Sequence, residues 1–121
     1  MKVKLSVLNR LSIVGLLPET GNVASLRINR ELREELSCTE EEYKLCNFRP
    51  TPDGKMSWDD TAVPPKEFEF AKGSVREVLF EGVKTKLREM EKAGTLKMEL
   101  VSLYEVLIEE IEPDLKIVKD G

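Results

Sequence analysis

Hydrophobic residues in the last third of the chain, from Ser74 to Ile111, follow the pattern of two amphipathic helices. In the first helix, apolar side chains recur at three- and four-residue steps and share one face: Val75, Val78, Leu79, Val83, Leu87 and Met90. In the second, the stripe comprises Leu96, Leu100, Leu103, Leu107 and Ile111, widened by Tyr104 and Ile108. Ser74 with Glu77 predicts a capping box, and Gly94 predicts the end of the first helix. We therefore predict a C-terminal antiparallel helical hairpin whose second helix starts at Thr95.

The beginning of the chain combines two patterns. Met1 to Val7 alternates apolar and polar residues, which suits a strand. Helical spacing follows at Leu8, Leu11, Val14 or Gly15, and Leu17. Whether Met1–Val7 is strand or helix stays open, and we favour a short extended entry before a helix from Ser6 to Leu16. Pro18 ends that helix because it disfavours helical backbone at the preceding residue.

Capping residues predict two further helices before residue 47. Asn22 is a favourable N-cap for a helix over Val23–Leu36. The apolar stripe of that helix is narrow and consists of Val23, Leu26, Leu32 and Leu36, with Ile28 beside it. Thr39 with Glu42 forms a capping box, which predicts a short third helix from Glu40 to Leu45.

Residues 47–71 have a different texture, with clustered prolines and aromatic side chains. Cys46–Arg49 and Lys55–Trp58 are predicted to form a hairpin around Thr51–Gly54, which has the proline and glycine positions of a type I turn. Lys66–Phe70 alternates strictly and predicts a third strand with both phenylalanines facing inward.

These elements predict one α+β domain over 1–121. It would consist of an N-terminal three-helix segment (1–46), a small antiparallel sheet built from a hairpin plus a strand (47–71), the helical hairpin (74–111) and a tail (113–121). The order of three helices, hairpin and strand resembles a winged helix.

Composition narrows the function classes. The chain has 19 basic and 23 acidic residues and a net charge of −4, which argues against a non-specific polyanion binder. It has no histidine, and Cys38 and Cys46 are predicted to be reduced, partly buried thiols. No signal peptide and no membrane-length apolar run is visible, so we expect a cytoplasmic protein without membrane contact.

No constellation of catalytic residues emerges from the sequence. Cys46 has no histidine to serve as its base, and no phosphate-binding glycine loop is present. Adjacent Asp59 and Asp60 would point to opposite sides of an extended backbone, so we interpret them as solvated loop acids rather than metal ligands. We therefore predict a protein that is not an enzyme and that needs no metal and no cofactor.

The hairpin carries the candidate partner-binding residues. Met56 and Trp58 would share one face of an alternating strand, with Arg49 and Lys55 nearby to orient a partner. Tryptophan and arginine are common binding hot spots. The alternative is that Trp58 packs in the core, and both interpretations stay open.

A winged helix would present its third helix to DNA. Here that helix begins with Glu40, Glu41 and Glu42, which repel phosphate, and it has only Lys44 in return. Nucleic acid is therefore not the expected partner, although a winged-helix-like transcription regulator that binds DNA remains the alternative.

Four strings resemble a set of small, uncharacterised phage and prophage proteins: Leu16–Asn22, Thr39–Glu42, Gly54–Trp58 and Leu103–Glu105. The resemblance implies phage origin and a role in virus–host interaction or particle assembly. We expect a non-enzymatic protein-interaction factor that acts in the host cytoplasm and binds a host or viral protein. A virion or assembly component is a further alternative, and the oligomeric state stays open, with a homodimer as one option.

Overall fold

Five helices and four short strands build residues 2–111, the part of the chain that the computed structural model describes. The strands are β1 (Lys2–Leu5), β2 (Arg49–Pro50), β3 (Met56–Ser57) and β4 (Lys66–Glu69). The helices are α1 (Val7–Leu16), α2 (Val23–Leu36), α3 (Glu40–Cys46), α4 (Val75–Ala93) and α5 (Val101–Leu107). Single 3-10 turns lie at Asp60–Ala62 and Met98–Leu100. The predicted α+β class is confirmed, and the predicted tail at 113–121 lies outside the described residues.

Local capping bonds explain why the helices begin where they do. Ser6 caps α1: its hydroxyl accepts from the Asn9 amide, and the Asn9 side chain accepts from the Ser6 amide. Asn22 caps α2 in the predicted position, and Thr39 with Glu42 forms the predicted capping box of α3. The extended entry before α1 is confirmed as β1.

The third predicted strand exists, but its partner is different. β4 pairs antiparallel with β1, and the hairpin β2–β3 forms a separate two-stranded sheet. Val3 lies opposite Phe68 on the inner face, while Lys2 lies opposite Glu69 on the outer face. Burial on one side and opposite charges on the other stabilise this pairing. The single winged-helix-like sheet of the prediction is therefore replaced by two smaller sheets.

The main core gathers residues from β1, β4 and four helices. Its buried members are Leu5, Ile13, Leu17, Leu32, Leu36, Phe68, Phe70, Phe80, Val83, Leu87, Leu100, Leu103, Val106 and Leu107. The rings of Phe70 and Phe80 lie 4.7 Å apart. Phe80, which the predicted stripe omits, is therefore the buried residue in the first part of α4, whereas the predicted Val75 and Val78 are exposed. The larger aromatic side chain buries more apolar area, which turns the first part of α4 toward Phe70.

The C-terminal helix is shorter than predicted. Gly94 ends α4 in the left-handed conformation, as expected, but residues 95–97 are not helical and the chain makes a 3-10 turn before α5. Leu103 and Leu107 are buried as predicted, whereas Ile111 is exposed. Because α5 packs against both α1 and α4, Val106 is buried as well.

Candidate functional site

Trp58 lies in a second, smaller apolar cluster. Its half-buried indole packs with the buried side chains of Val7, Cys46 and Val63, and it stacks on Phe48 with the ring centroids 5.1 Å apart. The indole therefore fastens the β2–β3 hairpin to the helical body. Only part of Trp58 is left for a partner, which places it between the two interpretations that the sequence allowed.

Asp60 links this cluster to the start of α1. Its Oδ1 accepts a hydrogen bond from Trp58 Nε1 at 3.1 Å and another from the Leu8 amide at 2.8 Å. A carboxylate is favourable there because the first amides of a helix lack intrahelical partners and carry partial positive charge. The prediction of a solvated loop acid is therefore wrong for Asp60. Asp59 does remain exposed, and its partner is Arg49.

The register of the hairpin puts its apolar side chains on one face. Pro50 lies opposite Met56, and extending that register by one pair sets Phe48 opposite Trp58, as their stacked rings require. Tyr43 of α3 continues the row, with its ring centroid 4.7 Å from that of Phe48. We call these five residues the hairpin face. Two of its members are open to solvent, since Met56 is 53% exposed and Tyr43 is 47% exposed.

The two basic candidates lie away from this face. Arg49 is opposite Ser57 on the other side of the hairpin, where its guanidinium donates to the carbonyl of Asn47 at 2.8 Å and to Asp59 at 3.3 Å. Lys55 is exposed in the turn. Of the four predicted partner-binding residues, only Met56 and Trp58 are therefore brought to one surface.

Hydrogen bonds hold the turn of the hairpin in shape. The Thr51 amide donates to the Lys55 carbonyl at 2.8 Å, and the Gly54 amide donates to the Thr51 carbonyl at 3.0 Å. Hydrogen bonds from the Thr51 hydroxyl and the Lys55 amide lower the pKa of Asp53. These bonds close the turn at the exposed tip.

A second apolar surface opens beside Trp58. It is a groove of about 450 Å³ between α1 and the connection from α4 to α5. One face of α1 forms its floor with Leu8, Leu11, Ser12, Gly15 and Leu16, which are spaced as one helix face. Its walls are Trp58, Met90, Thr95, Lys97, Glu99 and Leu100. We call it the α1 groove.

The face of α1 that lines the groove is not the face that the sequence predicts to be exposed. The buried side chains of α1 are Val7, Asn9, Arg10 and Ile13. The predicted stripe through Leu8 and Leu11 is only half-buried and faces the groove. Of the predicted stripe, Leu17 is buried and Val14 packs against the main core, whereas Leu8 and Leu11 line the groove.

Arg10 forms a buried ion pair that the sequence pattern does not predict. Its side chain is 1% exposed, and both terminal nitrogens bind the Glu42 carboxylate, at 3.2 and 2.8 Å. Arg10 Nε is buried without a hydrogen-bond partner among the described residues. Burial by itself would raise the pKa of Glu42, but hydrogen bonds from Arg10 and the Thr39 amide and the charge of Arg10 outweigh it, so the pKa is lowered. The pair joins α1 to α3.

The thiols offer no activated nucleophile. Cys46 is buried and Cys38 is half-buried, and both are free. Desolvation by burial raises the pKa of each thiol, which disfavours the reactive thiolate. Within residues 2–111, no group of three or more histidine, cysteine or acidic side chains could hold a metal ion.

No helix in the described part of the chain is both long enough and apolar enough to cross a membrane. No protein-family model matches the chain, and no match was found among curated proteins or solved structures.

Proposed function

We propose that this chain is a non-enzymatic, phage-encoded protein-interaction factor that binds a host or viral protein through the exposed side chains of the hairpin face, Met56 and Tyr43. The observation that carries the proposal is the continuity of this face. Trp58 stacks on Phe48 at its middle, the exposed Tyr43 adjoins Phe48, and the exposed Met56 lies opposite Pro50 on the same side of the hairpin. Aromatic residues and methionine are enriched in the cores of protein interfaces.

Rigidity of the support favours binding. Trp58 and Phe48 anchor the base of the hairpin, and the hydrogen-bonded turn holds its tip. A partner would therefore meet Met56 and Tyr43 on a preorganised backbone, and little conformational entropy would be lost on association. The resemblance to small phage proteins supports the viral origin in this proposal.

The distribution of charge around α3 favours a protein partner over DNA. Glu40 and Glu41 are exposed at the start of α3, where a winged helix would approach the phosphates. Arg10, which faces α3 from α1, is buried against Glu42 and is not available to phosphate. Duplex binding would need cations on that surface, so a transcription regulator is the second choice. A virion component would use the same hairpin face against another particle protein.

Capture from bacterial lysate, with and without phage infection, tests the proposal. The variant is Met56→Ser with Tyr43→Ser, and the matched control is Val23→Ser with Val78→Ser, whose valines are each 64% exposed on other surfaces. We expect the hairpin variant to lose partner capture by about thirtyfold, the effect of a binding hot spot, while the control keeps it.

Circular dichroism should show both double variants folded, because the replaced side chains are exposed. Equal capture by the two double variants would contradict the proposed surface. Salt-sensitive, sub-micromolar binding to random duplex DNA would support the transcription regulator instead.

A further inference from the structure

Met98 is the most exposed of the large apolar side chains in the described part of the chain, at 89%. It stands at the rim of the α1 groove, because its two sequence neighbours, Lys97 and Glu99, both line that groove. Met98 itself is not part of the lining and projects into solvent. An unburied apolar side chain and an apolar groove that residues 2–111 leave uncovered therefore lie side by side on one surface.

We propose that the occupant of the groove is a second copy of this chain, in a twofold-symmetric dimer in which Met98 of each protomer enters the groove of the other. In such an interface the same patch serves both subunits, so an anchor and its receiving site must lie close together. Met98 and the groove meet this requirement because they share a rim. One twofold axis beside that rim brings both anchors into both grooves.

Charge complementarity supports a second copy over a foreign partner. Lys97 and Glu99 flank Met98 and carry opposite charges. Across a twofold axis, Lys97 of one protomer meets Glu99 of its partner, and the reverse contact forms at the same time. Neither side chain forms an ion pair with another residue of 2–111. The rim is thus complementary to itself.

The groove suits a methionine side chain. At Gly15 a Cβ atom would meet nothing within 4 Å, so the floor is open at the centre of the α1 face. Leu8 and Leu11 on the floor and Met90 and Leu100 on the walls supply apolar contacts. An unbranched thioether adapts well to an irregular apolar site of this kind.

This interface would be small, because a single 3-10 turn and the adjoining Val101, which is 41% exposed, supply most of the contact. We expect a reversible dimer with a dissociation constant on the order of 100 μM. The inference does not rest on the proposed function, since neither Met56 nor Tyr43 lines the groove.

Sedimentation equilibrium of the full chain from about 10 μM to about 2 mM tests the proposal. The wild type should self-associate reversibly. Gly15→Leu, which fills the groove, should be monomeric. Gly82→Leu is the matched control, because Gly82 is also a helical glycine with open space around it and lies outside the groove. Met98→Ser should weaken association by at least about tenfold, and Met56→Ser should not.

Charge reversal gives a second, independent readout. Lys97→Glu alone and Glu99→Lys alone should each abolish self-association, because like charges then meet across the axis. An equimolar mixture of the two variants should form a heterodimer, since both contacts become attractive again. Circular dichroism should show every variant folded.

Three results would overturn the proposal: a wild type that is monomeric at the highest concentration, equal association of Gly15→Leu and Gly82→Leu, or a charge-reversal mixture that does not associate. Loss of partner capture without loss of the dimer, or the reverse, separates this inference from the function proposed above.

Discussion

Neutralising Glu42 should destabilise the fold far more than its position on a short surface helix suggests. Its carboxylate is the bidentate partner of Arg10, whose side chain is almost completely buried. Glu42→Gln keeps the size of the side chain and an oxygen for the Thr39 amide, so the helix cap is preserved. What is lost is the negative charge, and a buried guanidinium is left without compensation.

The expected cost follows from that geometry. Breaking a buried ion pair by removing one partner costs about 3–5 kcal/mol, because the remaining charge stays desolvated. Within residues 2–111 the guanidinium has no hydrogen-bond acceptor other than Glu42, because its Nε has no partner. We expect Glu42→Gln to lower the free energy of unfolding by about 3 kcal/mol.

Urea unfolding of a double-mutant cycle measures the effect. Glu41→Gln is the matched control, since Glu41 is exposed on the same helix, and it should change the free energy of unfolding by less than about 0.5 kcal/mol. Arg10→Met with Glu42→Gln should recover most of the loss, because a methionine carries no charge that needs a partner. A loss below about 1 kcal/mol for Glu42→Gln, or strictly additive changes in the cycle, would refute this reasoning.

Further predictions concern pH, packing and nucleic acid. The pKa of Glu42 is lowered in the folded state, so the ionised carboxylate stabilises the fold. This contribution to the free energy of unfolding is complete above the ordinary glutamate pKa of about 4.3 and is lost as the pH falls through the lowered value. The free energy of unfolding should therefore depend less on acid pH in Arg10→Met than in the wild type. Leu103→Ala should cost about 2–5 kcal/mol in thermal or urea unfolding, and Glu89→Ala less than about 0.5 kcal/mol, and equal costs would contradict the assigned faces. Trp58→Ala should lower the melting temperature clearly while Met56→Ala leaves it unchanged, since only Trp58 packs in the second cluster. Fluorescence anisotropy should detect no sub-micromolar binding to duplex DNA at physiological salt.

The starts of α2, α3 and α4 and the hairpin turn were predictable because their signals are local, whereas the start of α5 was predicted six residues too early. Asn22, Thr39 and Ser74 each cap a helix with a bond to an amide three residues ahead, and nothing outside that turn decides the outcome. The partner of β4 was not predictable in this way. Its choice depends on the N-terminal strand, more than sixty positions away in sequence, and local alternation gives no information on which strand will pair.

The site was predictable only in part, for a related reason. Alternation on the hairpin correctly put Met56 on the side of Trp58, but the stacking of Trp58 on Phe48 and its bond to Asp60 depend on how the hairpin docks onto α1 and α3. The α1 groove escaped prediction because one wall comes from the connection between α4 and α5. No local sequence pattern indicates that a methionine is exposed. Met98 was therefore only one position within the helix predicted from Thr95.

The orientation of α1 ties the two surfaces together. Besides Val7 and Ile13, this helix buries Asn9 and Arg10 and leaves Leu8 and Leu11 only half-covered, although burial of apolar area alone would favour covering the two leucines. This arrangement is sustained by distant partners, because Asn9 binds Ser102 and Arg10 binds Glu42. These bonds hold α1 in the orientation in which Asp60 and Trp58 pack at its start. The same orientation leaves the groove open. We infer that a second copy that covers the groove buries the apolar side chains of α1 that this orientation leaves half-exposed. Association at the groove should therefore raise the stability of α1 itself.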